Sequence, residues 1–335
     1  MLLKIFFNVR ENRIRSGWRL IMFVAIVAFS TAIVGLLSSL LFYGFQAIFP
    51  ENSAVITQIF SLIFSTAGIV LGILITARWV DHRDLKSLGL GFSKKWWLDL
   101  LFGALLGILL MSMIFLIELA FGWIKISGYF TLQDKIASFT PVMVIYVIQF
   151  LCVGIYEELI FRSYLLTNLA EGLSFIRDRK TGLLIAYLLI CAVFGIAHAF
   201  NPNASLTSVS TIMLAGLLLG LGYVLTGNIA LSIGLHITWN FFQGNVFGFP
   251  VSGMPTNISF IGIQQLGNDI ITGGAFGPEA GLIGVFAILL GMAAIFGWVK
   301  WRYGEINLGL LDNMVYMEEL PKLVEEEDVS YPNLN

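Results

Sequence analysis

The sequence predicts an all-α protein, a polytopic transmembrane bundle of about eight membrane-spanning helices, and three observations carry that expectation. Of the 335 residues, 58% are hydrophobic and 12% charged, and the mean hydropathy of +0.87 lies far above that of soluble chains. The apolar residues come in runs of about 20, the length an α-helix needs to cross a bilayer core of roughly 30 Å. The charges that interrupt these runs fall mostly in the gaps between them. A net charge of −2 gives no electrostatic case for a nucleic-acid partner, and no linker or low-complexity tract divides the chain into separate domains.

Residues 1–19 read as a basic cytoplasmic arm carrying Lys4, Arg10, Arg13, Arg15 and Arg19. Residues 20–140 hold the N-terminal transmembrane helices, with spans near 20–50, 54–77 and 97–119. The second and third are joined by a hairpin containing Arg78, Arg83, Lys86, Lys94 and Lys95. Residues 141–247 form a core of four further spans, near 141–170, 181–200, 205–225 and 229–247. A glycine-rich extracytoplasmic loop occupies 248–280, the last transmembrane helix 281–301, and an acidic tail 302–335. Of the 19 basic residues, all but Lys125, Lys135 and Arg162 fall on the side shared by the two ends of the chain. The positive-inside rule makes that side cytoplasmic. The expected location is therefore an integral membrane protein, in the plasma membrane of a prokaryote, with both termini cytoplasmic.

Within the fourth span, Glu157, Glu158 and Arg162 interrupt a run that is uncharged back to Lys135. Each ionised group near a bilayer centre costs about 2.5–3.5 kcal/mol, so such groups face protein or trapped water and usually have a function. Glu158 and Arg162 are four apart with the acid first, the spacing of an ion pair along one helix face. Glu157 lies about 100° round the helix and needs a partner from another element.

The uncharged stretch between Lys180 and Asp269 supplies candidates: His198, His236 and, one turn past it, Asn240. Measured from the basic side, Glu157 lies about 20 Å deep and His198 about 26 Å, so the two can share a level. A carboxylate beside an imidazole can take a proton from water and direct the oxygen at a carbonyl, while a second imidazole and an amide stabilise the oxyanion. The same Glu157, His198 and His236 could instead hold a zinc ion that acidifies the water. Both routes hydrolyse a peptide or ester bond, and the residues alone leave them open.

Other designs fit poorly. No His-Glu-x-x-His is present, the spans hold no aspartate pair, and Ser252 sits in a turn-like Val-Ser-Gly-Met context. Cys152 and Cys191 fall in apolar runs, where packing explains them. Asn257-Ile258-Ser259 matches a glycosylation sequon, a triplet that arises often by chance.

Glu157-Glu158 with Arg162, Phe194 with His198, and His236 with Asn240, in that order on successive apolar segments, resemble the CPBP family of CAAX proteases and bacteriocin-processing enzymes, also called Abi or type II CAAX prenyl endopeptidase-like. The resemblance covers about 142–247, and the loop Thr272–Glu279 is similar to one in bacterial members. It implies an intramembrane endopeptidase acting on a membrane-associated or prenylated peptide. Glu157 and His198 would activate the water, His236 and Asn240 would form the oxyanion site, and Glu158 and Arg162 would shape the catalytic helix. Two readings stand beside it: a catalytically silent immunity or scaffold protein of the same fold, and a proton-coupled transporter. The confinement of the ionisable cluster to the second half of the chain counts against the transporter.

Overall fold

The computed structural model describes residues 3–8, 13–48, 53–133 and 138–314. A short α1 (Leu3–Phe6) and the antiparallel strands β1 (Phe7–Asn8) and β2 (Arg13–Ile14) precede a long hairpin of α2 (Ser16–Ile48) and α3 (Ser53–Ile75), the latter prolonged by a π-helical turn, Thr76–Val80. Next come α4 (Lys94–Ala120), started by the Ser93 side chain on Trp96 N, and strand β3 (Ile124–Leu132). Then α5 (Phe139–Glu158) runs without a break through a π-helical stretch, Leu159–Leu166, into α6 (Thr167–Gly172). After α7 (Arg179–Ala197) and α8 (Leu206–Thr226), a left-handed Gly227 turns the chain into α9 (Ala230–Phe241), which continues as a π-helical turn, Phe242–Val246. Strand β4 (Ile258–Gln265), the one-turn α10 (Asp269–Thr272) and α11 (Leu282–Tyr303) follow, with a 3₁₀ turn, Gly309–Asn313, near the end of the described chain.

Seven helices among the described residues are long and apolar enough to cross a membrane: α2, α3, α4, the continuous α5–α6, α7, α8 and α11. The all-α polytopic bundle stands, and the count differs by one from the expected figure of about eight. The run at 229–247 folds as 12 α-helical residues and a 5-residue π turn, at most about 25 Å against a core of roughly 30 Å. It can be short because it need not meet lipid. Every residue from Ala230 to His236 is buried, with Leu231, Leu235 and Trp239 in one apolar cluster and Ala230 and Ile233 in another.

The packing that encloses α9 depends on glycine. A methyl group on Gly234 would strike the Leu100 carbonyl of α4, and one on Gly103 would strike that of Leu231. Lipid tails are as apolar as leucine, so helices in a bilayer associate through such close backbone approach rather than through the hydrophobic effect.

One side of the bundle gathers charge. Glu171 pairs with Arg13 and Arg19 at 3.0 Å each and with Arg83, and Arg83 also donates to the Asn313 carbonyl at 2.9 Å. The Asn313 amide in turn reaches Gly227 O at 2.6 Å. Both described ends of the chain therefore meet on the basic side. The acidic tail from 315 onward lies outside the described residues.

The opposite side carries a feature not anticipated in an all-helical chain. Within the stretch expected to be a glycine-rich loop, β4 pairs antiparallel with β3, from Ile124↔Gln265 to Leu132↔Ile258. The strand partners lie more than a hundred residues apart in the chain, too far for local pattern to announce them.

Candidate active site

The π-helical stretch Leu159–Leu166 begins immediately after the paired glutamates, and the π turn Phe242–Val246 begins two residues after Asn240. Such insertions concentrate at functional sites because they re-aim side chains without breaking the helix. Here they frame a cavity of about 200 Å³ into which Glu157, His198, His236 and Asn240 all project. Its apolar wall includes Phe150, Phe194, Ile212, Leu218 and Trp239.

The two glutamates face different surroundings. Glu157 keeps 18% of its side chain accessible, whereas Glu158 has none. Behind the cavity, Glu158 Oε1 accepts from Arg162 Nη1 at 3.1 Å, the ion pair that the four-residue spacing predicts, and meets His236 Nδ1 at 2.8 Å. Arg162 is itself buried, with its guanidinium carbon 4.3 Å from the Phe194 ring centroid. Neither Glu158 nor Arg162 lines the cavity.

With Nδ1 engaged by Glu158, the His236 ring turns Nε2 toward Glu157 Oε2, 3.9 Å away. That separation is too long for a direct hydrogen bond and suits two groups that share a third. His198 opens the 3₁₀ turn that ends α7, and its Nδ1 lies 2.8 Å from the Phe194 carbonyl. A carbonyl only accepts, so Nδ1 is the donor in this pair and Nε2 is left for another partner. Phe194 thus serves three neighbours, holding His198, stacking on Arg162 and meeting the His236 ring edge-on at 6.4 Å.

The residues named as zinc ligands bear on metal binding. Among the described residues no three His, Cys, Asp or Glu groups converge as a metal-binding set, and a catalytic zinc site draws three ligands from the protein.

Sequence reasoning missed one acid at this cavity. Glu279 sits in the 3₁₀ turn Pro278–Ala280 ahead of α11, lines the cavity and is 3% exposed. Burial pushes its carboxyl up to about 7, against the pull of hydrogen bonds from the Ser252 amide and the Gln243 side chain. The signal in the sequence was an acid between glycines, Gly277-Pro278-Glu279-Ala280-Gly281, next to a span. Ser252 occupies a tight turn with φ 48° rather than a nucleophile's setting.

No curated protein and no solved structure matches the chain. A family model described as type II CAAX prenyl endopeptidase Rce1-like matches residues 139–242, the stretch from the first turn of α5 to the end of α9. All seven motif residues fall inside it, and this segment, a little under a third of the chain, is similar to that family of CAAX-type membrane proteases.

Proposed function

We propose that this protein hydrolyses a peptide bond in a membrane-associated substrate, using a water activated by Glu157. The observation that carries the reading is the division of the glutamate pair: one carboxylate is accessible in the cavity with an imidazole 3.9 Å away, and the other is sealed behind that imidazole.

In this mechanism Glu157 takes a proton from the water as its oxygen attacks the scissile carbonyl, then returns it to the leaving amine. The free Nε2 of His198 orients the same water. His236, held through Nδ1 by Glu158, donates from Nε2 to the developing oxyanion. The Asn240 amide is the second oxyanion donor. Arg162 holds the Glu158 carboxylate in place, and so acts at one remove. A zinc ion on Glu157, His198 and His236 would acidify the water by another route; no step here needs it.

The basic side that gathers both described ends is read as cytoplasmic by the positive-inside rule, in the plasma membrane of a prokaryote. The test is cleavage by the purified chain in lipid of a mixed panel of prenylated C-terminal and single-span peptides, with products identified by mass spectrometry. Cleavage that persists in a strong chelator is the expected result. Cleavage lost on chelation and restored by zinc contradicts the metal-free step. A folded chain that cuts nothing across the panel favours the silent immunity or scaffold reading.

A further inference from the structure

Residues of the segment Pro250–Thr256 line the cavity, and its backbone is fixed from several directions. Gln243, three residues past Asn240 on the same helical run, donates from Nε2 to Pro250 O at 2.6 Å and to Glu279 Oε2. The other Glu279 oxygen accepts the Ser252 amide at 2.6 Å. On the far side of the turn, the Ser252 carbonyl accepts from the Asn201 side chain at 2.8 Å. Asn201 closes the His198 turn, its amide donating to His198 O at 3.1 Å. Asn203 adds a bond to Gly253 O at 3.2 Å, and Gly253 N donates to Phe276 O at 2.7 Å.

Ser252 adopts φ 48°, a left-handed conformation that a non-glycine residue holds only when its surroundings impose it. Here both its N–H and its C=O are committed, one to Glu279 and one to Asn201. The path Gln243–Glu279–Ser252–Asn201 therefore joins the helix of His236 and Asn240 to the turn of His198 through groups that are themselves outside the motif.

We propose that Glu279 is a positioning residue that ties the two histidine-bearing elements together across the cavity, so that His198 and the His236–Asn240 face keep a fixed separation. The alternative is a local anchor that serves only its own loop. The proposal uses the catalytic reading of the cavity for its kinetic consequence alone; the mechanical link stands apart from it.

The two are separated by hydrogen exchange on the full-length protein in lipid nanodiscs, comparing wild type with Glu279→Ala, Glu279→Gln and Asn201→Ala. Loss of the tie in Glu279→Ala raises exchange about tenfold, the protection of one hydrogen bond, in 250–256 and also in 198–204 and 241–246, on opposite sides of the cavity. Glu279→Gln keeps one acceptor for the Ser252 amide and recovers most of the protection in 198–204. Asn201→Ala cuts the path at its other end, raising exchange in 250–256 and 198–204 but sparing 241–246. A rise confined to 250–256 and 278–280 overturns the proposal, as does an Asn201→Ala protein indistinguishable from wild type. Should Glu279→Ala not yield monodisperse protein, the other two variants decide the question. Where a cleavable peptide is in hand, kcat falls in Glu279→Ala with KM little changed and recovers in Glu279→Gln. If wild type cleaves nothing, that arm speaks to the catalytic reading and the exchange pattern still speaks to the tie.

Discussion

The α2–α3 hairpin and the packing around α9 are both built from apolar helices, yet they use polarity in opposite ways. The hairpin lies outside the family match, and large residues such as Phe29, Leu36, Leu40 and Tyr43 are exposed on α2. Its seam is small residues, with Ser30 Oγ donating to Gly68 O at 2.8 Å. Its charges cluster at the basic end, where Arg19 and Arg83 meet Glu171. Around α9 the polar groups lie deep among apolar residues, and two buried charged members of the motif, Arg162 and Glu158, form an ion pair whose carboxylate holds the equally buried His236. The difference teaches that depth of polarity, rather than its amount, separates the proposed catalytic part from the hairpin.

Substitutions that attack each region sharpen that contrast. The largest effect is expected from Glu158→Ala, which strands the Arg162 guanidinium in the core; removing one partner of a buried pair costs about 3–5 kcal/mol, visible as a large fall in the melting temperature in detergent. Next is a pH effect at Glu279. Its carboxyl is raised in the folded protein to about 7 from an ordinary 4.5, so the folded state holds a proton that the unfolded chain has already released. Stability is then fully present below about pH 4.5 and falls as pH rises toward 7, by on the order of 3 kcal/mol. Melting curves from pH 5 to 8 should show that decline in wild type and a shallower one in Glu279→Gln.

Smaller again is Gly234→Ala, which pushes α9 off the Leu100 carbonyl at about 1–3 kcal/mol and lowers the melting temperature while leaving the basic-side ion pairs intact. Least is Ser30→Ala in the hairpin, about 0.6 kcal/mol, typical of interhelical hydrogen bonds in membranes. A Ser30→Ala loss as large as that of Glu158→Ala would erase the distinction between the two regions.

Much of this was legible in the sequence because bilayers punish charge. Apolar runs of about 20 residues announced seven of the spans, and Glu157, His198, His236 and Asn240 stood out as polar groups in apolar runs. Spacing alone paired Glu158 with Arg162. What stayed hidden depends on tertiary surroundings. The apolar run at 229–247 looked like a span because a helix buried in protein and a helix buried in lipid have the same composition. The β3–β4 pairing joins segments on either side of the whole core. Glu279 was invisible as a site residue because its turn reads as a loop until Gln243 and Ser252 are brought to it.

The central claim is that the accessible glutamate performs chemistry and the sealed one supports it. Comparing Glu157→Gln with wild type in lipid, for cleavage of a peptide from the panel and for thermal stability, tests it most directly. The expected result is a melting temperature close to wild type with cleavage reduced by at least about a hundredfold, the scale of a lost general base. Cleavage at the wild-type rate by a folded Glu157→Gln protein would contradict the account.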